Sequence, residues 1–116
     1  MLVVLESPFA GNTESNIDYA RRCMRDCIER GEIPIASHLL YTQPKILNDD
    51  DPAERQLGIE LGYAWGSYAD KVVVYRDRGV STGMQAAVDF YRLSLGMEVE
   101  YRYLPIHLLD TGGTRH

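Results

Sequence analysis

Three short segments combine hydroxyl, ring and glycine residues in a way that suits small-molecule binding. The first follows the apolar run 2–5 and contains Ser7, Phe9 and Gly11. The serine supplies a hydroxyl, the phenylalanine supplies a ring on which a base can stack, and the glycine permits close approach of the backbone. Small residues directly after a strand are equally typical of a tight turn, so both interpretations stay open.

The second segment, residues 37–43, contains one histidine and one tyrosine. His38 is able to exchange a proton near neutral pH, and Tyr41 is able to hold or cover a ligand. A single histidine is more often a structural hydrogen-bonding residue than a catalytic one. We therefore keep His38 as a candidate for either role.

The third segment, residues 77–84, begins with a carboxylate and ends at the start of a predicted helix. Asp77 lies where a carboxylate often binds ribose hydroxyls, although it can equally cap its own loop. Gly79, Ser81 and Gly83 lead into helical sequence, and the free N–H groups of a helix start suit a phosphate or another polyoxygenated group. Neither a Walker loop nor a dinucleotide fingerprint is present, so a nicotinamide dehydrogenase is disfavoured.

All three segments follow predicted strands in an alternating strand and helix pattern. Strands are predicted at 2–5, 33–37, 71–75 and 99–104, and helices over 16–30, 52–68 and 84–95. This order is typical of a parallel sheet with helices on both faces, in which ligands bind beyond the carboxyl ends of the strands. The sequence therefore predicts a single doubly wound α/β domain, Rossmann-like or flavodoxin-like, over residues 1–109. We expect a mainly parallel sheet of four to five strands and a flexible tail at 110–116.

The second predicted helix has a clear start. Asp51 can cap it, Pro52 fits the first helical position, and Glu54 completes a capping-box pattern. Its predicted apolar face consists of Leu57, Leu61, Ala64, Trp65 and Tyr68. The aspartates at 49–51 are better explained as this cap and a solvated loop than as a metal site.

Composition narrows the choice of partners. The 116 residues carry twelve Lys and Arg against seventeen Asp and Glu, a net charge of −5, so no nucleic acid polymer is expected as a partner. No apolar run approaches the ~20 residues of a membrane span and no export signal is recognisable, which favours a cytoplasmic protein without a membrane partner. Cys23 and Cys27 lack a second ligand cluster, and neither a metal nor another cofactor is predicted.

Several motifs together resemble the nucleoside 2-deoxyribosyltransferase superfamily, including its small uncharacterised relatives from bacteriophages. The superfamily resemblance spans residues 3–104 and rests on Ser7-Pro8-Phe9, Asn16, Tyr19-Ala20, the segment 69–75 and the Gly83-Met84 step. The phage-type subgroup is indicated by the runs 37–43 and 52–55. Members cleave or exchange the N-glycosidic bond between a base and deoxyribose through a glutamate nucleophile.

The resemblance places a glutamine where the superfamily has its nucleophile. That glutamate directly follows the glycine-methionine step, and the corresponding residue here is Gln85. A glutamine amide hydrogen-bonds sugar hydroxyls but cannot act as an anionic nucleophile. The string Glu60-Leu61-Gly62-Tyr63-Ala64 imitates the glutamate-bearing motif, but on the wrong helix. Glu6, Glu54 and Asp77 remain candidate replacement carboxylates.

Two functions compete on these grounds, and a third class is kept. The first is binding of a nucleotide or nucleoside-derived small molecule without efficient turnover; a phage protein of this kind could sequester a host nucleotide signal in the host cytoplasm. The second is an N-glycosidic bond hydrolase or deoxyribosyltransferase. The third is an interaction module, since eight tyrosines and Trp65 suit an interface, and the resemblance implies a homo-oligomer. The residues expected to bind ligand are Ser7, Pro8, Phe9, Asn16, His38, Tyr41, Asp77, Gly79, Ser81, Gly83, Met84 and Gln85.

Overall fold

Four parallel strands form the centre of the fold in the computed structural model, which describes residues 1–109. The strands are β1 (Leu2–Glu6), β2 (Ile33–Ile35), β3 (Lys71–Tyr75) and β4 (Glu98–Arg102). They lie in the order β2-β1-β3-β4, and every neighbouring pair is parallel. The predicted α/β domain with a parallel sheet is confirmed, with four strands in the part of the chain described. The predicted tail at 110–116 lies outside that part.

Helices connect the strands on both faces of the sheet. They are α1 (Thr13–Glu29), α2 (Ser37–Leu40), α3 (Pro52–Gly66) and α4 (Thr82–Asp89). A π-helical turn at Phe90–Ser94 continues α4, and a 3₁₀ turn at Ile106–Leu108 follows β4. No helix within residues 1–109 is both long enough and apolar enough to cross a bilayer.

The two central strands are buried on both sides, which explains their unbroken apolar sequence. One core beneath α1 contains Val3, Leu5, Tyr19, Cys23, Cys27, Val73 and Tyr75. The opposite core contains Val4, Val72, Val74, Met84, Ala87, Val88 and Tyr91. Within the sheet, β2 lies on one flank of β1 and β3 lies on the other. A crevice therefore opens at the carboxyl ends of β1 and β3, where strand order reverses.

Helix α3 packs through glycines and Tyr63 instead of most of its predicted apolar face. Leu57, Trp65 and Tyr68 are exposed, so the predicted buried face of this helix is wrong. Gly62 and Gly66 face inward, and a Cβ at either position would overlap the side chain of Ser37 or Tyr91. Close approach of α3 to its neighbours requires glycine at these points, and sequence periodicity does not weigh that requirement.

The start of α3 follows the predicted cap only in part. The Asp51 carboxylate accepts hydrogen bonds from the backbone N–H groups of Ala53 and Glu54, at 2.9 and 3.4 Å. The Glu54 carboxylate accepts from the backbone N–H of Asn48 at 2.7 Å, so it fastens the preceding loop instead of closing a capping box.

Other element boundaries also differ from the sequence prediction: α1 begins at Thr13, β2 ends at Ile35 and α3 ends at Gly66. The four-residue helix α2 lies in a stretch predicted as a long connection, and no side chain caps its start. The helix predicted over 84–95 begins at Thr82 and changes to π geometry at Phe90. β4 occupies residues 98–102, two residues short of the predicted end.

A cluster of charged side chains ties β4 to β3 and to the start of β2. The Arg102 guanidinium donates to Glu32 at 2.6 Å and to Glu100 at 2.7 Å. Lys71 also donates to Glu100 at 2.6 Å. Hydrogen bonds from these two cations lower the pKa of the Glu100 carboxyl to about 2. Because the Arg102 side chain is only 3% exposed, its two carboxylate partners are needed to compensate its burial.

Candidate functional site

A cavity of about 440 Å³ lies in the crevice at the carboxyl end of the sheet. The end of β1, helices α2 and α3, and the first turns of α4 surround it. The volume lies within the range typical of small-molecule sites. The residues predicted to bind ligand that line this cavity are Ser7, Pro8, Phe9, His38, Tyr41, Ser81, Gly83 and Met84. The tertiary structure thus brings the three chemically equipped segments to one place.

Ser7 and His38 form a hydrogen-bonded pair inside the cavity. The Ser7 Oγ lies 2.8 Å from the His38 Nε2, and Ser7 is buried. The Phe9 ring meets the imidazole edge-on, with ring centroids 6.3 Å apart. Burial lowers the pKa of the His38 imidazole to about 4, so the ring is neutral at physiological pH. The pair therefore offers uncharged hydrogen-bonding groups to a ligand. It does not offer an imidazolium that could act as a general acid.

Two candidate carboxylates, Glu6 and Glu54, also line the cavity. Glu6 ends β1 and lies with the deepest lining residues, which we call the floor: Ser7, Met84, Ala87 and Tyr91, all buried. Burial raises the pKa of the Glu6 carboxyl to about 8. Within residues 1–109 no hydrogen-bonding partner engages this carboxyl, so it is a carboxylic acid at neutral pH.

Asn16 lies outside the cavity but holds one of its walls. Its amide nitrogen donates to the backbone carbonyls of Phe9 and Ala10, both at 3.1 Å. Its amide oxygen accepts from Arg78 at 3.0 Å. The buried Asn16 side chain therefore links the loop after β1 to the loop after β3, and it positions Phe9 at the cavity.

Asp77 is occupied by structural contacts. Its carboxylate accepts from the Tyr19 hydroxyl at 2.6 Å and from the Leu104 backbone N–H at 3.1 Å. These bonds join the end of β3 to α1 and to the segment after β4. Asp77 does not line the cavity, and nor does the nearby Gly79, whose positive φ of 84° serves the turn.

Gln85 also lies away from the cavity, although its neighbours on α4 line it. Its side chain is exposed, and its amide donates to the Asp89 carboxylate at 2.9 Å on the same helix. Met84 and Ala87 contribute to the floor from the opposite side of α4. Glu60 is exposed as well and accepts from Gln56 at 3.1 Å, so the glutamate of the string on α3 does not reach the cavity.

Aromatic residues from α3 and the π turn complete the site, and the sequence analysis did not assign them to it. Tyr63 stacks on Phe90 with ring centroids 4.1 Å apart, and it meets Tyr91 edge-on. Tyr63 and Tyr91 line the cavity, as does Arg55. Tyr91 had only the apolar spacing of a core residue as a signal, and Tyr63 had none.

A hydrogen bond connects the cavity wall to the only tryptophan in the sequence. The Trp65 indole N–H donates to the Tyr41 hydroxyl at 2.7 Å, which joins α3 to the end of α2. Because Tyr41 lines the cavity, the indole next to it is suited to report ligand binding by fluorescence.

A second, open cavity of about 610 Å³ adjoins the first and shares Phe9, Thr42, Leu47, Asp49 and Glu54 with it. The loop 44–50 supplies the rest of its lining apart from Thr13. Among residues 1–109, no group of three or more His, Cys, Asp or Glu side chains is arranged to hold a metal ion.

Comparison with known proteins agrees with the fold. A family model described as a domain of unknown function, DUF7768, matches residues 1–102. A solved structure of a 2-deoxyribosyltransferase from the psychrotolerant bacterium Bacillus psychrosaccharolyticus superimposes with a TM-score of 0.63 at 16% identity. The match covers 97% of this chain and 79% of that one, and it confirms the fold expected from the resemblance. No curated protein matches the sequence.

Proposed function

The chain belongs to the DUF7768 family, a domain of unknown function, and for this member we propose binding of a nucleotide or nucleoside-derived small molecule without efficient turnover. The nucleoside moiety occupies the cavity at the carboxyl end of the sheet. The proposal draws its ligand class from the shared fold with a 2-deoxyribosyltransferase. One observation carries the proposal. The cavity is present, but the residue at the nucleophile position of the resembled superfamily is Gln85, an amide that is exposed and does not line the cavity.

The chemistry of the lining supports an uncharged ring system as ligand. Phe9, Tyr63 and Tyr91 supply aromatic surface, and the Ser7–His38 pair is neutral. A heterocyclic base is flat and partly apolar, and it carries polar edges, which suits this combination. A cytoplasmic, phage-encoded binder of this kind would withdraw a host nucleotide signal from solution.

Ligand recovery tests the proposal directly. The protein is incubated with a panel of nucleosides, nucleotides and NAD, and free base and intact ligand are then quantified by chromatography. We expect at least one ligand to raise the melting temperature and to be recovered intact; a ligand at ~100 times its dissociation constant adds about 2.7 kcal/mol to stability. The absence of any shift across the panel would overturn the proposal.

A variant pair localises the binding. Phe9→Ala removes a ring from the cavity wall, and we expect it to weaken the ligand-induced shift. Tyr103→Ala removes an exposed ring that does not line the cavity, and we expect it to leave the shift unchanged. Equal shifts in the two variants would place the ligand elsewhere.

A second candidate function, N-glycosidic bond hydrolysis, is favoured by the two glutamates in the cavity. In this reaction the bond between the base nitrogen and C1′ breaks with its electron pair on the base, and Glu6 donates a proton to the departing base. A water oxygen bonds to C1′ while Glu54 accepts the water proton. Release of free base that stops in Glu6→Gln and persists in Glu60→Gln would favour this function over binding alone.

Homo-oligomer formation is part of the proposal. Leu57 and Trp65 on α3 and Tyr68 just after it expose apolar surface, which suits contact with a second copy. Light scattering after size exclusion tests this, with Tyr68→Glu expected to shift the protein toward the monomer. A monomer at every concentration in the unmodified protein would contradict it.

A further inference from the structure

The floor of the cavity contains one polar group that the fold leaves unused. Ser7 and His38 hydrogen-bond to each other, and Tyr91 donates to the Gly62 carbonyl at 3.4 Å. The Glu6 carboxyl lies among these groups without a hydrogen-bonding partner in residues 1–109. Glu6 is half-buried and faces the cavity, so a carboxyl left without a partner among the described residues at this surface is available to a ligand.

The ionisable groups around Glu6 form no ion pair with its carboxyl. Burial raises the pKa of the phenols of Tyr63 from α3 and Tyr91 from the π turn, and the nearby Glu6 charge raises both further. The other titratable groups that line the cavity are His38, Tyr41, Asp49, Glu54 and Arg55. None of these forms a salt bridge or hydrogen bond with Glu6, and burial alone explains its raised pKa.

We propose that Glu6 recognises the nucleobase, its carboxyl donating one hydrogen bond and accepting another along an edge of the base. This inference rests on the proposed function and names the group that selects the ligand. A carboxylic acid is both donor and acceptor, whereas a carboxylate only accepts. The ligand must therefore present a hydrogen-bond acceptor beside a donor, as adenine does with a ring nitrogen next to its amino group.

The proposal makes binding depend on the protonation of Glu6. With a pKa of about 8, the carboxyl is a donor at pH 6.5 and has largely lost its proton at pH 9. One pH unit above the pKa leaves about a tenth of the molecules in the acid form, so affinity falls about tenfold. The substitution Glu6→Gln keeps one donor and one acceptor in a similar shape and has no proton to lose.

The experiment is calorimetric titration with adenosine, guanosine, cytidine and uridine, followed by a pH series with the tightest of the four. We expect affinity in the unmodified protein to fall about tenfold between pH 6.5 and 9. Glu6→Gln should keep the affinity measured at pH 6.5 throughout the pH series. Any decrease of affinity that remains in this variant comes from ionisation of the nucleoside itself. Glu6→Leu loses binding at every pH. Glu60→Gln, an exposed carboxylate of α3, behaves as the unmodified protein.

The outcomes separate this inference from the proposed function. No binding of any of the four nucleosides by the unmodified protein would count against this inference, and no shift with any member of the larger panel of nucleosides, nucleotides and NAD would count against the proposed function as well. Binding with the same pH dependence in Glu6→Gln, or unchanged affinity in Glu6→Leu, would overturn the role of Glu6 and leave the binding function standing. Circular dichroism of each variant verifies that the titrations compare folded proteins.

Discussion

The hydroxyl of Ser7 and the imidazole of His38 lie 2.8 Å apart although the two residues are 31 positions apart in the sequence. This bond joins the end of β1 to α2 and closes one side of the cavity. The imidazole in this pair is neutral at physiological pH, because burial of the ring lowers its pKa to about 4. Stability and site geometry therefore depend on the same protonation state.

The His38 pair predicts a loss of stability in mild acid. The pKa of this imidazole falls from 6.5 to about 4 on folding, so its contribution is present above pH 6.5 and is lost as pH falls toward 4. His38→Gln should remove as much as about 3 kcal/mol of the difference in unfolding free energy between pH 7 and pH 4. Urea denaturation at the two pH values measures it. An unchanged difference would show that the ring is not held neutral.

A second prediction concerns the close contact of α3 with the π turn. A methyl group at Gly66 would overlap the Tyr91 ring, so Gly66→Ala should lower the free energy of unfolding by about 2 kcal/mol or more. Gly58→Ala is the matched control on the same helix, because its nearest atom would lie 3.5 Å away. That control should be neutral or slightly stabilising, since alanine favours helix. Equal effects in thermal denaturation would contradict the packing described.

The Asn16 bonds predict a change in both stability and binding. Asn16→Ala leaves the Phe9 and Ala10 carbonyls without their donor, which should cost about 1–3 kcal/mol. Because Phe9 loses its support, ligand affinity should fall as well. Asn12→Ala removes only a weak cap at 3.4 Å and should affect affinity little. Chemical denaturation and calorimetry together distinguish the two variants.

The charged cluster around Arg102 predicts a separate transition at lower pH. The pKa of Glu100 is depressed from 4.5 to about 2, so its contribution is present above pH 4.5 and is lost as pH falls toward 2. Glu100→Gln should remove about 2 kcal/mol of stability at pH 7 and make the remaining stability less dependent on pH in that range. Denaturation curves at pH 7 and pH 3 test this. A variant as acid-sensitive as the unmodified protein would rule out this role.

The sequence by itself determined the order of strands and helices and which ends of the strands would form a site. The apolar runs of β1 and β3 and the polar loops after them follow rules of burial that act locally along the chain. Those rules predicted that Ser7, His38 and Ser81 lie near one another, since parallel strands share a carboxyl edge.

Tertiary structure alone decided which side chains face the cavity. The side chains of Asn16 and Asp77 hydrogen-bond to neighbouring segments of the backbone. Gln85 is exposed to solvent, whereas Glu6 lies on the floor of the cavity. Sequence spacing could not separate these cases, because the direction of a side chain relative to the cavity depends on how the elements pack against one another. The close approach of α3 to Ser37 and Tyr91, for example, requires glycines at 62 and 66. The raised pKa of Glu6 has the same origin, since burial comes from residues distant in sequence.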